Sequence, residues 1–122
     1  SNMARDKMLR EQMECMPLSE IINMTYSTDV QLRKKVVKEL CPCHVKRNIK
    51  EIWQRLLQMV DDEDADVRLA VVHTLCDGSP GELELEVVDA LETMYNDPDE
   101  RVRRKARKAF NSYRRTGKWN VL

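Results

Sequence analysis

Cysteine and histidine are the residues whose chemistry could most readily form a site in this chain. The run Cys41-Pro42-Cys43-His44 places two thiols and an imidazole close together. The other thiols and the other imidazole belong to Cys15, Cys76 and His73. Zinc usually takes such ligands as two closely spaced pairs, whereas only one dense cluster exists here and its spacing is unusually tight. We therefore favour small buried thiols over metal ligands, and we expect neither a metal nor another cofactor.

Catalysis would depend on His73, because imidazole is the most frequent general base in enzymes. No nucleophile lies at a characteristic spacing from it. Ser79 belongs to the run Ser79-Pro80-Gly81-Glu82, which has the form of a helix-capping box with proline at the first helical position. A histidine at this position is more typical of a surface or groove contact. We therefore predict that the chain is not an enzyme.

An internal repeat organises the chain. A shift of 35 residues aligns three segments without a gap: STDVQLRKKVVKEL (27–40), DEDADVRLAVVHTL (62–75) and DPDERVRRKARKAF (97–110). The same shift relates Cys41 to Cys76, so both thiols occupy one slot near the end of an apolar stripe. Hairpins of this length cannot bury their apolar faces alone, so neighbouring copies must stack. The expected fold is all-α, a right-handed α-solenoid of about three helical hairpins.

The helices follow from apolar residues that recur three to four and seven to eight positions apart, which indicates one buried stripe per helix. We predict helices over 4–15, 17–26, 28–41, 49–60, 63–76, 82–95 and 98–115. Ser27, Asp62 and Asp97 are the expected N-caps, and Gly78 is the expected left-handed C-cap. Pro17 either kinks one long helix or separates two.

The expected boundaries follow the same repeat. We assign 1–2 to a tag remnant, 3–16 to an N-terminal capping helix, 17–45, 46–80 and 81–115 to the three repeats, and 116–122 to a C-terminal tail, within one domain. Pro42 should end the third helix and Asn48 should cap the fourth. Two apolar groups should cover the open ends of the stack: Met8, Leu9, Met13 and Met16 at one end, and Phe110, Tyr113 and Trp119 at the other.

Charge is balanced overall but segregated along the chain. The 21 basic and 21 acidic residues give a net charge of zero. Residues 61–100 include fourteen acidic residues and one arginine or lysine, whereas 101–122 includes nine basic residues and no acidic one. A second basic block, 33–55, holds eight basic residues and two acidic ones. This segregation indicates that electrostatic complementarity steers partner choice.

Two features bear on compartment. No apolar run approaches the roughly 18 residues of a membrane-spanning helix. Four cysteines without a recognisable secretory signal indicate free thiols in a reducing compartment. We therefore expect a cytoplasmic protein that does not enter membranes.

The segments DEDADVRLAVVHTL and DPDERVRRKARKAF resemble the second helix of HEAT-type repeats, in the short-repeat group that includes phycobilisome-lyase-like HEAT proteins. The resemblance covers residues 17–115 and implies a ladder of aspartate and arginine side chains between successive repeats. The residues that match this ladder are Asp62, Asp97, Arg33, Arg68 and Arg103. Ser27 departs from the pattern, although Asp29 is close enough to substitute for an aspartate there.

The resemblance constrains function only broadly, since one fold serves many roles. We expect a non-catalytic scaffold or adaptor that binds a protein partner through the concave surface of its second helices. The residues expected on that surface are Lys34, Lys38, Asp66, Leu69, His73, Arg101, Arg104 and Lys108. One alternative is a nucleic-acid-binding repeat that uses the basic helix 101–115, with Tyr113 or Trp119 free to stack on bases. A second is an accessory role in chromophore attachment. We expect a monomer or weak end-to-end self-association.

Overall fold

A computed structural model describes residues 2–41 and 49–121 of the 122-residue chain. The described residues form α-helices and short 3₁₀ turns and contain no β-strand. The α-helices are α1 (Asn2–Cys15), α2 (Leu18–Met24), α3 (Val30–Glu39), α4 (Lys50–Gln58), α5 (Ala65–Gly78), α6 (Glu84–Met94) and α7 (Glu100–Thr116). The 3₁₀ turns are Met59–Asp61 and Gly81–Leu83. The predicted all-α fold is confirmed.

Three hairpins, α2–α3, α4–α5 and α6–α7, stack to form the solenoid. The second helices form a continuous layer in which α3 packs on α5 and α5 packs on α7, while α4 contacts α6 in the layer of first helices. Residues related by the repeat occupy equivalent buried positions. Ile21, Leu56 and Leu91 on the first helices are fully buried, and so are Val36, Val71 and Ala106 on the second helices. The 35-residue period is therefore the period of the core.

Helix α1 packs on α3 at the N-terminal end of the stack. Met13 is fully buried, and Leu9 and Met16 pack against the core. Arg10 Nε donates to Glu39 Oε2 at 2.7 Å, which joins α1 to α3. Met8, expected in the buried group, instead lies on the outer side of α1 and is 60% exposed. Pro17 has an extended backbone and precedes α2, so it separates two helices.

The C-terminal end is covered by the tail. Gly117 ends α7 in the left-handed conformation (φ +77°), and its N–H donates to the Tyr113 carbonyl at 2.7 Å. The chain then turns back and buries Trp119, whose Nε1 donates to Ser79 Oγ at 2.7 Å. Among the described residues, Gly117 is the one with a left-handed backbone. Gly78 is instead the last helical residue of α5, so the prediction of a left-handed C-cap at Gly78 is wrong.

The N-caps of the second helices lie two residues later than predicted. Asp29, Asp64 and Asp99 cap α3, α5 and α7, and each side chain accepts two backbone N–H groups of the first helical turn. The predicted caps Ser27, Asp62 and Asp97 stand outside the helix. Each of them instead accepts the backbone N–H of the true cap, at 2.9–3.0 Å. Both positions of each pair carry a residue suited to capping, and the helix begins at the second.

The capping box expected at 79–82 does not form. Ser79 Oγ donates backwards to the Leu75 carbonyl at 2.7 Å, and Pro80 has an extended backbone. Helix α6 begins only at Glu84, after the 3₁₀ turn, without a side-chain cap. The predicted roles of Pro42 and Asn48 lie outside the described residues. None of the helices described is both long and apolar enough to span a membrane.

Candidate functional site

A groove of about 830 Å³ lies between α1 and the second helices and is called here the second-helix groove. Its volume falls in the usual range of ligand pockets, roughly 300–1,000 Å³. Because α1 packs on α3, and α5 lies between α3 and α7, we call α1 and α3 one wall of the groove, α5 its floor and α7 the opposite wall. Six residues expected on the binding surface line it: Lys34, Lys38, Asp66, Leu69, His73 and Arg101.

Arg104 and Lys108, also expected on this surface, do not line the groove. Both are exposed elsewhere on α7, and Arg104 pairs with Glu100 at 2.8 Å. The α7 wall is formed instead by Arg101 and Lys105. Arg101 and Lys105 are four residues apart and share one face of α7, whereas the side chain of Arg104 points about 100° away from that of Lys105.

Sequence reasoning missed the contribution of α1. Asp6, Lys7 and Arg10 line the groove, and so does Glu39 at the end of α3. Helix α1 lies outside the 35-residue repeat, so periodicity could not place it against the second helices. For one missed residue, Lys105, the sequence did contain a signal. Lys105 lies four positions after Arg101, and residues at that spacing share one face of a helix.

Two of the three carboxylates in the groove are paired with arginines. Glu39 accepts from Arg10 at 2.7 Å, and Asp66 lies 2.9 Å from Arg101, which also contacts Asp99 at 3.1 Å. The hydrogen bonds that Arg101 donates to Asp99 and to Asp66 raise the pKa of Arg101 above its ordinary value, and the bond from Arg101 lowers the pKa of Asp99. The third carboxylate, Asp6, has one buried oxygen without a hydrogen bond among the described residues.

The lysines of the groove are less engaged. Within the described part of the chain, no ion pair involves Lys34, Lys38 or Lys105. Lys34 and Lys38 are one helical turn apart on α3, and Lys105 stands on α7 across the floor. The groove therefore carries an excess of positive charge that its own carboxylates do not compensate.

The residues of the expected ladder meet between successive repeats. Arg33 Nε and Nη2 donate to the two carboxylate oxygens of Asp62, both at 3.1 Å. Arg68 makes the same bidentate contact with Asp97 at 2.8 and 3.1 Å. Each arginine also donates through Nη1 to the carbonyl of its own turn, Ser27 for Arg33 and Asp62 for Arg68. The hydrogen bonds to Asp62 and Asp97 raise the pKa of these arginines.

The third arginine of the series differs. Arg103 Nη1 donates to the backbone carbonyls of Asp97 and Pro98, at 2.9 and 3.0 Å. At the other end of the series, Asp29 does not substitute for an aspartate at position 27, because it caps α3. The bidentate contacts therefore join the first repeat to the second and the second to the third.

The thiols fall into two environments. Cys41 is buried and donates to Asp77 Oδ2 at 2.7 Å, and burial raises the pKa of Cys76 to about 12. Cys15 is exposed. No three histidine, cysteine or acidic side chains among the described residues are grouped as a metal site would require. The proposed ligands Cys43 and His44 lie outside the described residues.

The residues considered for catalysis are not assembled into one site. His73 is exposed at the groove, whereas Ser79 is buried at the end of α5 with its hydroxyl between the Leu75 carbonyl and the Trp119 indole. The aromatic side chains expected to stack on bases are also engaged. Trp119 is 7% exposed, and Tyr113 donates to Glu84 Oε1 at 3.0 Å and contacts the Trp119 ring.

The fold defines a class: an α-solenoid of helical hairpins joined by aspartate–arginine contacts, with a groove along its second helices. A family model described as HEAT repeats matches residues 18–111, most of the chain. The chain therefore belongs to the HEAT-repeat family. The match does not test membership of the narrower phycobilisome-lyase-like group, and that membership stays a prediction. No curated protein and no solved structure gave a match.

Proposed function

We propose that this chain is a non-catalytic interaction module whose second-helix groove binds a segment of a partner protein. The observation that carries the proposal is the groove itself, which brings together side chains of α1, α3, α5 and α7. HEAT repeats generally serve as protein-interaction scaffolds and are generally non-catalytic. A stacked array offers a rigid, extended surface on which side-chain variation selects the partner.

The chemistry of the groove supports a protein ligand. Leu69 and Ala70 provide an apolar floor, and charged side chains stand on both walls. An apolar centre with a polar rim is the usual anatomy of a protein interface. Its volume suits a few side chains of a partner segment better than the face of a whole domain.

Nucleic-acid binding by helix 101–115 has weaker support. Exposed basic side chains on α7, such as Arg104, Lys108 and Arg114, provide charge for phosphate contacts. However, Tyr113 and Trp119 pack against each other and against α6 or Ser79, so they do not form a stacking platform. No residue in the described ranges 2–41 and 49–121 supports a role in chromophore attachment.

End-to-end self-association is also poorly supported. Helix α1 covers the first repeat and Trp119 packs at the last. A second copy stacked on the last repeat would present Ser27 to Arg103, and a serine cannot supply the carboxylate of the bidentate contact. We expect a monomer at micromolar concentration.

Affinity purification from the source cells, followed by mass spectrometry, tests the proposal. The tagged wild-type chain is compared with Leu69→Glu on the groove floor and with Leu85→Glu, which makes the same change at a residue of α6 that is 77% exposed. We expect the partner to be recovered with wild type and Leu85→Glu and lost with Leu69→Glu. Circular dichroism melting verifies that each variant is folded. A partner that is retained by folded Leu69→Glu contradicts the proposal.

A further inference from the structure

We infer that the segment bound in the second-helix groove is acidic: a partner peptide with at least two Asp or Glu residues that flank an apolar side chain. This inference rests on the proposed function and adds the chemistry of the ligand. It follows from the distribution of paired and unpaired charge around the apolar floor.

Charge complementarity is the first argument. Six basic and three acidic side chains line the groove. The carboxylates of Glu39 and Asp66 are each bound by an arginine, so they are not free to attract a basic ligand, and Asp6 is a single carboxylate against three lysines. Lys34, Lys38 and Lys105 have no ion pair among the described residues, and they would gain one from a carboxylate of the ligand.

The spacing of the lysines gives the ligand its form. Lys34 and Lys38 stand one turn apart on one wall, and Lys105 stands on the opposite wall. Leu69 and Ala70 lie on α5, the helix between these walls. A peptide that inserts an apolar side chain between the walls can therefore direct its flanking carboxylates to lysines on both sides.

The same features disfavour a nucleic acid in this groove. Phosphate binding depends on many cations that follow a backbone, whereas this groove interrupts its cations with Asp6, Glu39 and Asp66. The apolar part of its floor, Leu69 and Ala70, is aliphatic, whereas nucleic-acid grooves that bind single strands use aromatic stacking platforms. None of the residues that line the groove is Phe, Tyr or Trp, and His73 contributes the one imidazole.

The repeat supplies a matched control for the lysines. Lys34 and Lys38 correspond, two repeats later, to Arg104 and Lys108, which are exposed but lie outside the groove. The double variants K34E/K38E and R104E/K108E therefore change net charge equally at equivalent helix positions. Only the first pair alters the groove.

The test is a selection of random twelve-residue peptides displayed on phage against the full chain, with Leu69→Glu as the counter-selection target. Enriched peptides are synthesised with a fluorescent label, and binding is measured by polarisation. We expect acidic peptides with a central apolar residue. We expect at least about tenfold weaker binding to K34E/K38E, less than about twofold change with R104E/K108E, and loss of affinity as salt increases, because charge pairs at an interface rim are screened.

The outcomes separate the two proposals. Peptides that require Leu69 but carry no acidic excess, or that bind K34E/K38E as well as wild type, overturn the acidic ligand and leave the proposed function standing. A selection that yields no peptide sensitive to Leu69→Glu counts against the proposed function itself. A labelled 20-nucleotide single strand that binds through Lys34 and Lys38, where acidic peptides do not, overturns the inference in favour of nucleic acid. If K34E/K38E does not fold, the acidic ligand is tested with K34A/K38A and by salt dependence. Unchanged peptide binding by K34A/K38A together with an affinity that does not fall with salt overturns it.

Discussion

The guanidinium of Arg68 on α5 holds the carboxylate of Asp97 in the turn between α6 and α7 by two parallel hydrogen bonds. The distances are 2.8 Å from Nε to Oδ2 and 3.1 Å from Nη2 to Oδ1, and the side chains are only 12% and 6% exposed. Arg68 also donates to the Asp62 carbonyl at 2.7 Å. One arginine therefore joins the turn of its own repeat to the turn of the next.

Replacing Arg68 by alanine should destabilise the fold strongly. The change leaves the Asp97 carboxylate buried without its cation, and loss of one partner from a buried pair typically costs about 3–5 kcal/mol. Urea unfolding followed by circular dichroism measures the loss. Arg104→Ala is the control, because its pair with Glu100 is 78% and 64% exposed and such pairs contribute below about 1 kcal/mol. Equal losses in the two variants would mean that the Arg68 contact does not stabilise the stack.

The two aspartates before α5 should respond differently to the same substitution. Asp64 caps the helix, and asparagine caps about as well as aspartate, so Asp64→Asn should change stability by only a few tenths of a kcal/mol. Asp62 receives Arg33, and Asp62→Asn places an amide where a carboxylate oxygen accepts, with an expected cost of about 1–3 kcal/mol. Urea midpoints of both variants provide the comparison. The reverse order would show that Asp62 is the cap.

Trp119 should stabilise the last repeat more than its position in the tail suggests. The side chain is 7% exposed, and Trp119→Ala should cost about 3–5 kcal/mol through lost packing. Trp119→Phe keeps most of the packing and removes the hydrogen bond to Ser79, with an expected cost of about 1 kcal/mol. Lys118→Ala changes an exposed neighbour and serves as the control. A thermal midpoint unchanged in Trp119→Ala would refute the covering role of the tail.

Thiol labelling should distinguish Cys15 from Cys76. Iodoacetamide reacts with the thiolate, so an exposed thiol reacts and a thiol that burial keeps protonated does not. Burial raises the pKa of Cys76 to about 12. At pH 8, peptide mass spectrometry should find Cys15 modified first and Cys76 modified only after unfolding in urea. Equal labelling rates in the folded chain would contradict the buried environment of Cys76.

The same pKa shift predicts a loss of stability at alkaline pH. The folded pKa of Cys76 lies above the ordinary value of 9.0, so the unfolded chain releases the proton first as pH rises. The stabilising contribution is complete below pH 9 and is lost towards pH 12, with a slope of up to about 1.4 kcal/mol per pH unit. The difference in free energy of unfolding between wild type and Cys76→Ala, measured from pH 8 to 11, should narrow. A constant difference would be inconsistent with the shift.

The sequence alone was sufficient to predict the 35-residue repeat, the helical hairpins and the apolar stripes that are buried between them. Equivalent apolar residues recur at 35-residue intervals, and a hairpin with one apolar stripe must stack on its neighbours whatever its partner is. The match of Asp62 and Asp97 to the family pattern also identified residues that the structure brings into contact with Arg33 and Arg68. These features repeat along the chain, so comparison of one copy with the next reveals them.

The tertiary structure decided what does not repeat. Asp64 rather than Asp62 caps α5, and the Asp62 carboxylate accepts hydrogen bonds from Arg33 of the preceding repeat, a contact that exists only in the stacked structure. The groove depends on where α1 packs, and the burial of Trp119 depends on the path of the C-terminal tail. Neither α1 nor the tail has an equivalent in another repeat. Position within a helix fixes which residues share a face, but the rotation of each helix in the stack is set by packing against its neighbours. That rotation brings Lys105 to the groove and leaves Arg104 in solvent.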